Sequence, residues 1–177
     1  MIIIDGFDNT GKTTLANILK EVYQMEYLHS PSEYRYDFDK MVDWAIRELG
    51  SKRKAIYDRF SPLTDQVYGP ILRGGTPYQS DKRAKAVVTL LRYTPHLIIY
   101  CRPPRDRIFN FGERDQMDGV IDNAVQLLNA YDELFEELEN QGFNVLTYDY
   151  TNPNHFQSIK LKIDQFLIEN NLLEEEK

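Results

Sequence analysis

Apolar and polar positions along this chain fall into blocks that switch between two periods. Met1-Ile2-Ile3-Ile4 is an unbroken apolar run closed by Asp5, the mark of a strand buried on both faces. After a turn over residues 6–11, Leu15, Ile18, Leu19 and Val22 recur at spacings of 3, 4 and 7, which predicts an amphipathic helix. Tyr27-Leu28-His29 predicts a short second strand stopped by Ser30-Pro31. Residues 37–49 predict a helix with Phe38, Met41, Val42, Ala45, Ile46 and Leu49 inward and Gly50 as its stop. Ala55-Ile56-Tyr57 reads as a third strand ending at Asp58. Ser61-Pro62 then opens a helix with proline at its first position. Gly74-Gly75-Thr76-Pro77 breaks that helix, and another is predicted over residues 81–93.

The second half repeats the alternation. His96–Cys101 is a strong strand between Pro95 and Pro103-Pro104, and the polar, aperiodic residues 110–118 read as a loop. A long helix follows, with Val120, Ile121, Ala124, Leu127, Leu128, Tyr131, Leu134, Phe135 and Leu138 on one face and Gly142 ending it. Phe143–Thr147 is the fifth strand, Asn152-Pro153 starts a last helix through about Glu169, and Glu174-Glu175-Glu176 reads as a solvated tail. Strands alternating with helices five times predict an α/β fold: a three-layer α/β/α sandwich around a five-stranded parallel sheet. No repeat or linker interrupts the pattern, so residues 1–177 read as one domain. Ligands of such sheets sit beyond the carboxyl ends of the strands, where Asp5, Asp58 and Arg102 fall.

Composition narrows the function rather than the fold. With 177 residues, 42% of them apolar and 12% aromatic, the chain can build a core, which excludes intrinsic disorder. A net charge of −7 argues against a duplex nucleic-acid binder but allows a local basic pocket. The single cysteine, Cys101, excludes an internal disulfide framework and a thiolate zinc site. No apolar run approaches the roughly 18–20 residues that span a bilayer, and no basic leader precedes the first strand. The expectation is a cytoplasmic protein with neither nucleic acid nor membrane as partner.

Chemistry enters at Gly6-Phe7-Asp8-Asn9-Thr10-Gly11-Lys12-Thr13, which fits G-x-x-x-x-G-K-S/T between a predicted strand and a predicted helix. Glycines let such a loop wrap a polyphosphate with successive backbone N–H groups inward. Lys12 places an ammonium on the β/γ oxygens, and the Thr13 hydroxyl ligates Mg²⁺. Residues Asn9, Thr10, Gly11, Lys12, Thr13 and Thr14 are therefore the expected ATP site. A guanine-reading Asn-Lys-x-Asp segment is absent, and the chain is too short for the added modules of motor or transporter ATPases. Arg102, Arg105, Arg107 and Arg114 group between the fourth strand and the long helix, which suits a lid over transferring phosphates at about residues 105–118. Arg105 and Arg107 fit a solvated helix face equally well.

Several segments together resemble the thymidylate kinase family. Asp5-Gly6-Phe7-Asp8-Asn9-Thr10-Gly11-Lys12-Thr13-Thr14 is similar to that family's E-G-x-D-G-x-G-K-S/T-T, with Asp5 for the Glu and Asn9 for Gly or Arg. Tyr57-Asp58-Arg59-Phe60 resembles its D-R-Y/H motif, Pro95–Tyr100 its P-D-L-x-L-Y strand, and Phe111-Gly112-Glu113-Arg114 its lid. Asp149-Tyr150-Thr151 stands where the family has its adenine-side turn, and Gln66-Val67-Tyr68 resembles a Q-A-Y segment of some members. The resemblance implies a P-loop kinase using ATP and Mg²⁺ to phosphorylate dTMP or a related deoxynucleoside monophosphate, in a homodimer.

It also implies roles. Asp8 would accept a hydrogen bond from the acceptor's 3′-hydroxyl; the alternative is a carboxylate turned away to cap the loop. Asp58 would hold Mg²⁺ with Thr13, or else cap the following helix. Arg59 would fork onto the acceptor phosphate. Gln66 or Tyr68 would touch base or sugar, Tyr68 fitting a packed aromatic equally well. Since the phosphate loop lacks arginine, Arg114 would supply the catalytic cation beside Lys12 and Arg59. The family's arginine after the second strand is missing, leaving Arg35 as its displaced substitute. Residues 37–54 are shorter than the family's base-pocket segment, with Trp44 either core or stacking platform. Two other readings remain open: a deoxynucleoside kinase, which normally carries Glu-Arg-Ser rather than Asp-Arg-Phe, and a nucleotide-binding switch without productive transfer.

Overall fold

A computed structural model describes residues 1–172 apart from 32, 33, 35, 36, 52, 77, 79, 80 and 113–115. In chain order the elements are β1 (Ile2–Asp5), α1 (Lys12–Tyr23), β2 (Glu26–His29), α2 (Phe38–Gly50), β3 (Ala55–Asp58) and α3 (Ser61–Leu72). There follow α4 (Lys82–Tyr93), β4 (Leu97–Cys101), α5 (Arg105–Ile108), α6 (Ala124–Asn140), β5 (Val145–Tyr148) and α7 (His155–Glu169). All five strands are parallel, in the order β2-β3-β1-β4-β5. The expected α/β architecture with a five-stranded parallel sheet is what the chain adopts.

Register decides what reaches the site. Ile4 lies opposite both Asp58 and Ile99, Asp5 opposite Tyr100, and His29 opposite Asp58. The carboxyl ends of β1, β2 and β3 therefore bring Asp5, Asp58 and His29 to one rim. Side chains alternate across the pleat. Ile3, Tyr57 and Ile98 join a core with α2, α3, α4 and α6, while Ile2, Ile4, Ile56 and Ile99 join a second core with α1 and α7. Ile2, Ile3 and Ile4 are fully buried, each contributing roughly 1.5–3 kcal/mol of transfer free energy.

Four expectations of detail are corrected. On α1 the buried apolar residues are Leu15, Ala16, Leu19 and Tyr23, while Ile18 and Val22 are exposed. The contact line runs at i, i+4 toward α7, where the Tyr23 hydroxyl donates to Asp164 Oδ1 at 2.6 Å. On α2, Ile46 is exposed and Trp44 is buried against Tyr57 and Phe60, so the indole is core rather than a base platform. The long helix begins at Ala124, leaving Ile121 exposed: Gly119 turns the chain at φ +79°, and Asn123 Nδ2 donates back to its carbonyl at 2.8 Å. Strand β5 starts two residues late because Gly142, at φ +81°, and Phe143 are still capping α6, Phe143 N donating to Leu138 O at 3.0 Å.

Candidate active site

The loop between β1 and α1 closes around two glycines with different reasons to be there. At Gly6 (φ +142°) a Cβ would stand 2.6 Å from the Cys101 carbonyl, so any side chain would push the loop off β4. Gly11 (φ +81°) caps α1, and the Tyr150 ring lies 3.0 Å from where its Cβ would be. Thr10 Oγ1 donates to the Phe7 carbonyl at 2.8 Å, and Lys12 Nζ donates to the same carbonyl, folded back into the loop. Burial lowers the Lys12 ammonium to about 8, the Arg59 charge adding to this and Asp8 and Asp5 opposing it. Thr13 Oγ1 donates to Asp58 Oδ2 at 2.6 Å, and the Tyr27 hydroxyl donates to the same oxygen at 2.9 Å. Thr14 is exposed on the first turn of α1.

Asp8 leaves this loop toward the opposite side, into a network drawn from four elements. Arg59, just beyond β3, donates through Nη2 to Asp8 Oδ1 and through Nη1 to the Tyr131 hydroxyl of α6 at 3.3 Å. The Tyr68 hydroxyl of α3 donates to Asp8 Oδ2 at 2.7 Å, and the Arg59 guanidinium lies 5.5 Å from the Tyr68 ring centre. Behind them the fully buried Asp5 accepts from Thr64 Oγ1 at 2.7 Å and from the Tyr131 hydroxyl at 3.2 Å. Burial raises the Asp5 carboxyl, whereas at Asp8 the charges of Arg59 and Lys12 more than offset burial and hold the carboxyl below its usual range. Arg59 adopts a left-handed backbone (φ +67°), uncommon for arginine, and its N–H donates to Ile4 O at 2.9 Å. Strain at a strand end is thus held where the sequence placed Asp58 and Arg59.

This network opens on a cleft of about 350 Å³. It runs from Asp8 and Arg59 past His29 and Pro31 to Asp65 and Arg73, with Met41 and Met117 supplying apolar wall. Arg73 is ion-paired to Asp65, whose other oxygen accepts from Thr76 Oγ1 at 2.6 Å. Sequence reading missed this trio. Gly74-Gly75 was legible only as a break, not as the reversal that returns Thr76 to α3.

Of the expected acceptor residues, Asp8, Arg59 and Tyr68 meet in the cleft, and Asp8 does not cap the loop. Gln66 does not join them: its Nε2 donates to Pro62 O at 2.8 Å, and it faces the groove between α3 and α6. Helical rotation explains this, since Thr64 and Tyr68 on α3 point at Asp5 and Asp8 respectively and position 66 lies half a turn away. Arg35 and Arg114 lie outside the described residues. Arg102 grips Asp132 of α6 through two nitrogens, at 2.6 and 2.9 Å. Arg105 donates to Asn129 Oδ1 at 2.7 Å, and Arg107 is exposed beside Asp106. Asn9 turns its amide to the carbonyls of residues 107, 108 and 110 rather than toward the phosphate position.

No family model matches the chain, and no curated protein matches its sequence. Solved structures do match its shape. The YorR protein of Bacillus subtilis, solved with phosphorylated GDP, superposes with a TM-score of 0.74 at 16% identity, covering 96% of this chain and 97% of that one. The fold is that of the P-loop kinases. Deoxyadenosine kinase of M. mycoides with bound dCTP matches with a TM-score of 0.60 at 19% identity, over 93% of this chain and all of its own. Thymidylate kinase of Candida albicans matches at 0.53 and 11% identity, over 96% and 91%. Among the described residues, no helix is long and apolar enough to cross a membrane.

Proposed function

We propose that the protein is a nucleoside monophosphate kinase that transfers the γ-phosphoryl group of ATP to dTMP or a related deoxynucleoside monophosphate. The observation that supports this best is Asp8: a carboxylate inside the phosphate loop, anchored by Arg59 and Tyr68 and aimed into a separate cleft. A carboxylate there repels a triphosphate unless it faces something else. A sugar hydroxyl in the cleft is the partner it suits, and the remaining Arg59 N–H groups suit the acceptor's phosphate.

Phosphoryl transfer asks the protein for positioning and charge rather than covalent chemistry. Lys12, at the loop's centre, would neutralise the β/γ oxygens once a triphosphate displaces the Phe7 carbonyl from its ammonium. The Thr13 hydroxyl and Asp58 carboxylate form an all-oxygen pair of the kind Mg²⁺ takes. Among the described residues no cluster of three acidic, histidine or cysteine side chains could hold an ion. When bound, Mg²⁺ supplies charge neutralisation between the β- and γ-phosphates. Thr13 and Asp58 would hold the ion, Arg59 and Asp8 would fix the acceptor, and Arg114 would be the cation on the transferring group.

One observation favours a second reading, a deoxynucleoside kinase. Both described arginines of the cleft are already paired with an aspartate, Arg59 with Asp8 and Arg73 with Asp65. Such a cleft tolerates an uncharged acceptor. Mg²⁺-dependent ADP release, measured across the common deoxynucleoside monophosphates and deoxynucleosides, decides between them. Release driven by a monophosphate supports the proposal, release driven only by nucleosides supports the second reading, and acceptor-independent hydrolysis alone refutes both.

A further inference from the structure

Asn9 stands at a position where the backbone asks for glycine. Its φ is +63°, a left-handed conformation that costs an L-residue free energy, asparagine least among them. Glycine would hold this turn at no such cost. What asparagine adds is a side chain, and its Nδ2 lies 3.2 Å from the Arg107 carbonyl, 3.2 Å from the Ile108 carbonyl and 2.9 Å from the Asn110 carbonyl. The first two belong to the last residues of α5, where a helix end leaves carbonyls without intrahelical partners. One amide from the phosphate loop thus caps the end of a helix about a hundred residues away.

A neighbour two residues earlier reinforces the contact. Phe7, completely buried in the same loop, meets Phe109 edge-on at 6.5 Å and Phe111 at 6.1 Å between ring centres. Residues 107–111 are therefore gripped twice by the phosphate loop, once through polar atoms and once through rings. This segment continues from α5, which carries Arg105 and Arg107.

We infer that Asn9 is a positioning residue: it docks the segment 105–111 onto the phosphate loop, so that the loop's response to bound triphosphate is transmitted to that segment. Its effect on turnover rests on the kinase reading above; the docking itself does not. The polar grip makes the coupling directional. The ring contacts involve no hydrogen bond, whereas the two N–H groups of one amide, shared among three carbonyls, constrain where the segment sits.

Two variants separate docking from folding. Asn9→Gly suits the left-handed turn and removes the amide. Asn9→Asp keeps shape and turn preference but faces the three carbonyls with negative charge. Limited trypsin digestion of the full chain, read by mass spectrometry, follows cleavage after Arg105 and Arg107 with and without a non-hydrolysable ATP analogue. The expected result is cleavage at least about fivefold faster in Asn9→Gly, faster again in Asn9→Asp, and slowed by the analogue in wild type only. Wild-type cleavage rates in both variants, or equal protection by the analogue in all three proteins, would overturn the proposal. Turnover adds a second readout: kcat in Asn9→Gly should fall about tenfold with KM for ATP within twofold, as loss of positioning predicts. An unchanged kcat alongside faster cleavage removes the positioning role. If wild type transfers phosphate to no acceptor, the kinase reading fails, and the cleavage rates still decide the docking.

Discussion

Replacing Lys12 by methionine should make the nucleotide-free protein more stable while destroying its response to nucleotide. The ammonium is buried at the loop's centre, and its affinity for a proton is lowered from the ordinary 10.5 to about 8. At about 1.4 kcal/mol per pH unit, holding it charged costs the folded state roughly 3 kcal/mol. Methionine matches the stem in length and removes that cost, but it forfeits the hydrogen bonds to Phe7 O and Thr10 Oγ1, about 1 kcal/mol each. A net gain of about 1–2 kcal/mol remains, or roughly 2–8 °C in Tm for a chain of this size. The sign with pH follows from a folded-state value below the unfolded one. The wild-type penalty is fully present below about pH 8 and relaxes as pH rises toward 10.5, so the gap between the proteins narrows in alkali. ATP with Mg²⁺ should reverse the order at pH 7: at a hundred times Kd it stabilises wild type by about 2.7 kcal/mol and leaves Lys12→Met unmoved. Thermal melts of both proteins at pH 7 and pH 9.5 measure all of this. A variant that melts at or below wild type at pH 7 without nucleotide, or a gap that does not narrow by pH 9.5, refutes the reasoning.

Asp8 has a test of its own: kcat/KM for dTMP and for 3′-deoxy-dTMP, in wild type and Asp8→Ala. Wild type should discriminate by roughly 1–3 kcal/mol and the variant by almost nothing, whereas additive losses would remove Asp8 from the acceptor site. Gly6→Ala should lower stability by about 2–4 kcal/mol, because the new methyl meets the Cys101 carbonyl at 2.6 Å on a positive-φ backbone. A urea midpoint equal to wild type would contradict it. Asp58→Asn should raise the Mg²⁺ concentration giving half-maximal turnover by about tenfold or more, while far-ultraviolet circular dichroism stays unchanged. An unshifted Mg²⁺ dependence would return Asp58 to a purely structural role beside Thr13 and Tyr27.

The sequence made the sheet readable because local pattern fixes it. Ile2–Ile4 and Leu97–Tyr100 are apolar without a break, as only strands covered on both faces can be, and the glycine-lysine spacing marks the turn between β1 and α1. Arg59 and Asp8 could each be named from their motifs, yet their mutual bond could not, since register sets it: Ile4 beside Asp58 brings the residue after β3 level with the phosphate loop. Arg73 and Asp65 stayed hidden because their pairing depends on how the chain turns after α3. Arg102 looked like a lid cation for the opposite reason. Four arginines in thirteen positions suggest common purpose, but Asp132, thirty residues on, takes this one for packing. Periodicity also overextended α6, because Val120 and Ile121 keep the helical spacing across a glycine turn that spacing alone does not register.

Trp44, the only tryptophan in the chain, gives the buried face of α2 an optical property. Its indole lies 5.6 Å from the Phe60 ring and 6.2 Å from the Tyr57 ring, while Met41, one turn earlier on the same helix, borders the cleft. Phe60 is also covalently next to Arg59, whose left-handed backbone sets the direction of the guanidinium. An acceptor that shifts the backbone at Arg59 would move the peptide leading into Phe60, and with it the ring against the indole. The protein therefore carries an unlabelled fluorophore packed behind one side of its cleft. Its emission should respond to acceptor, so acceptor binding can be titrated without a label.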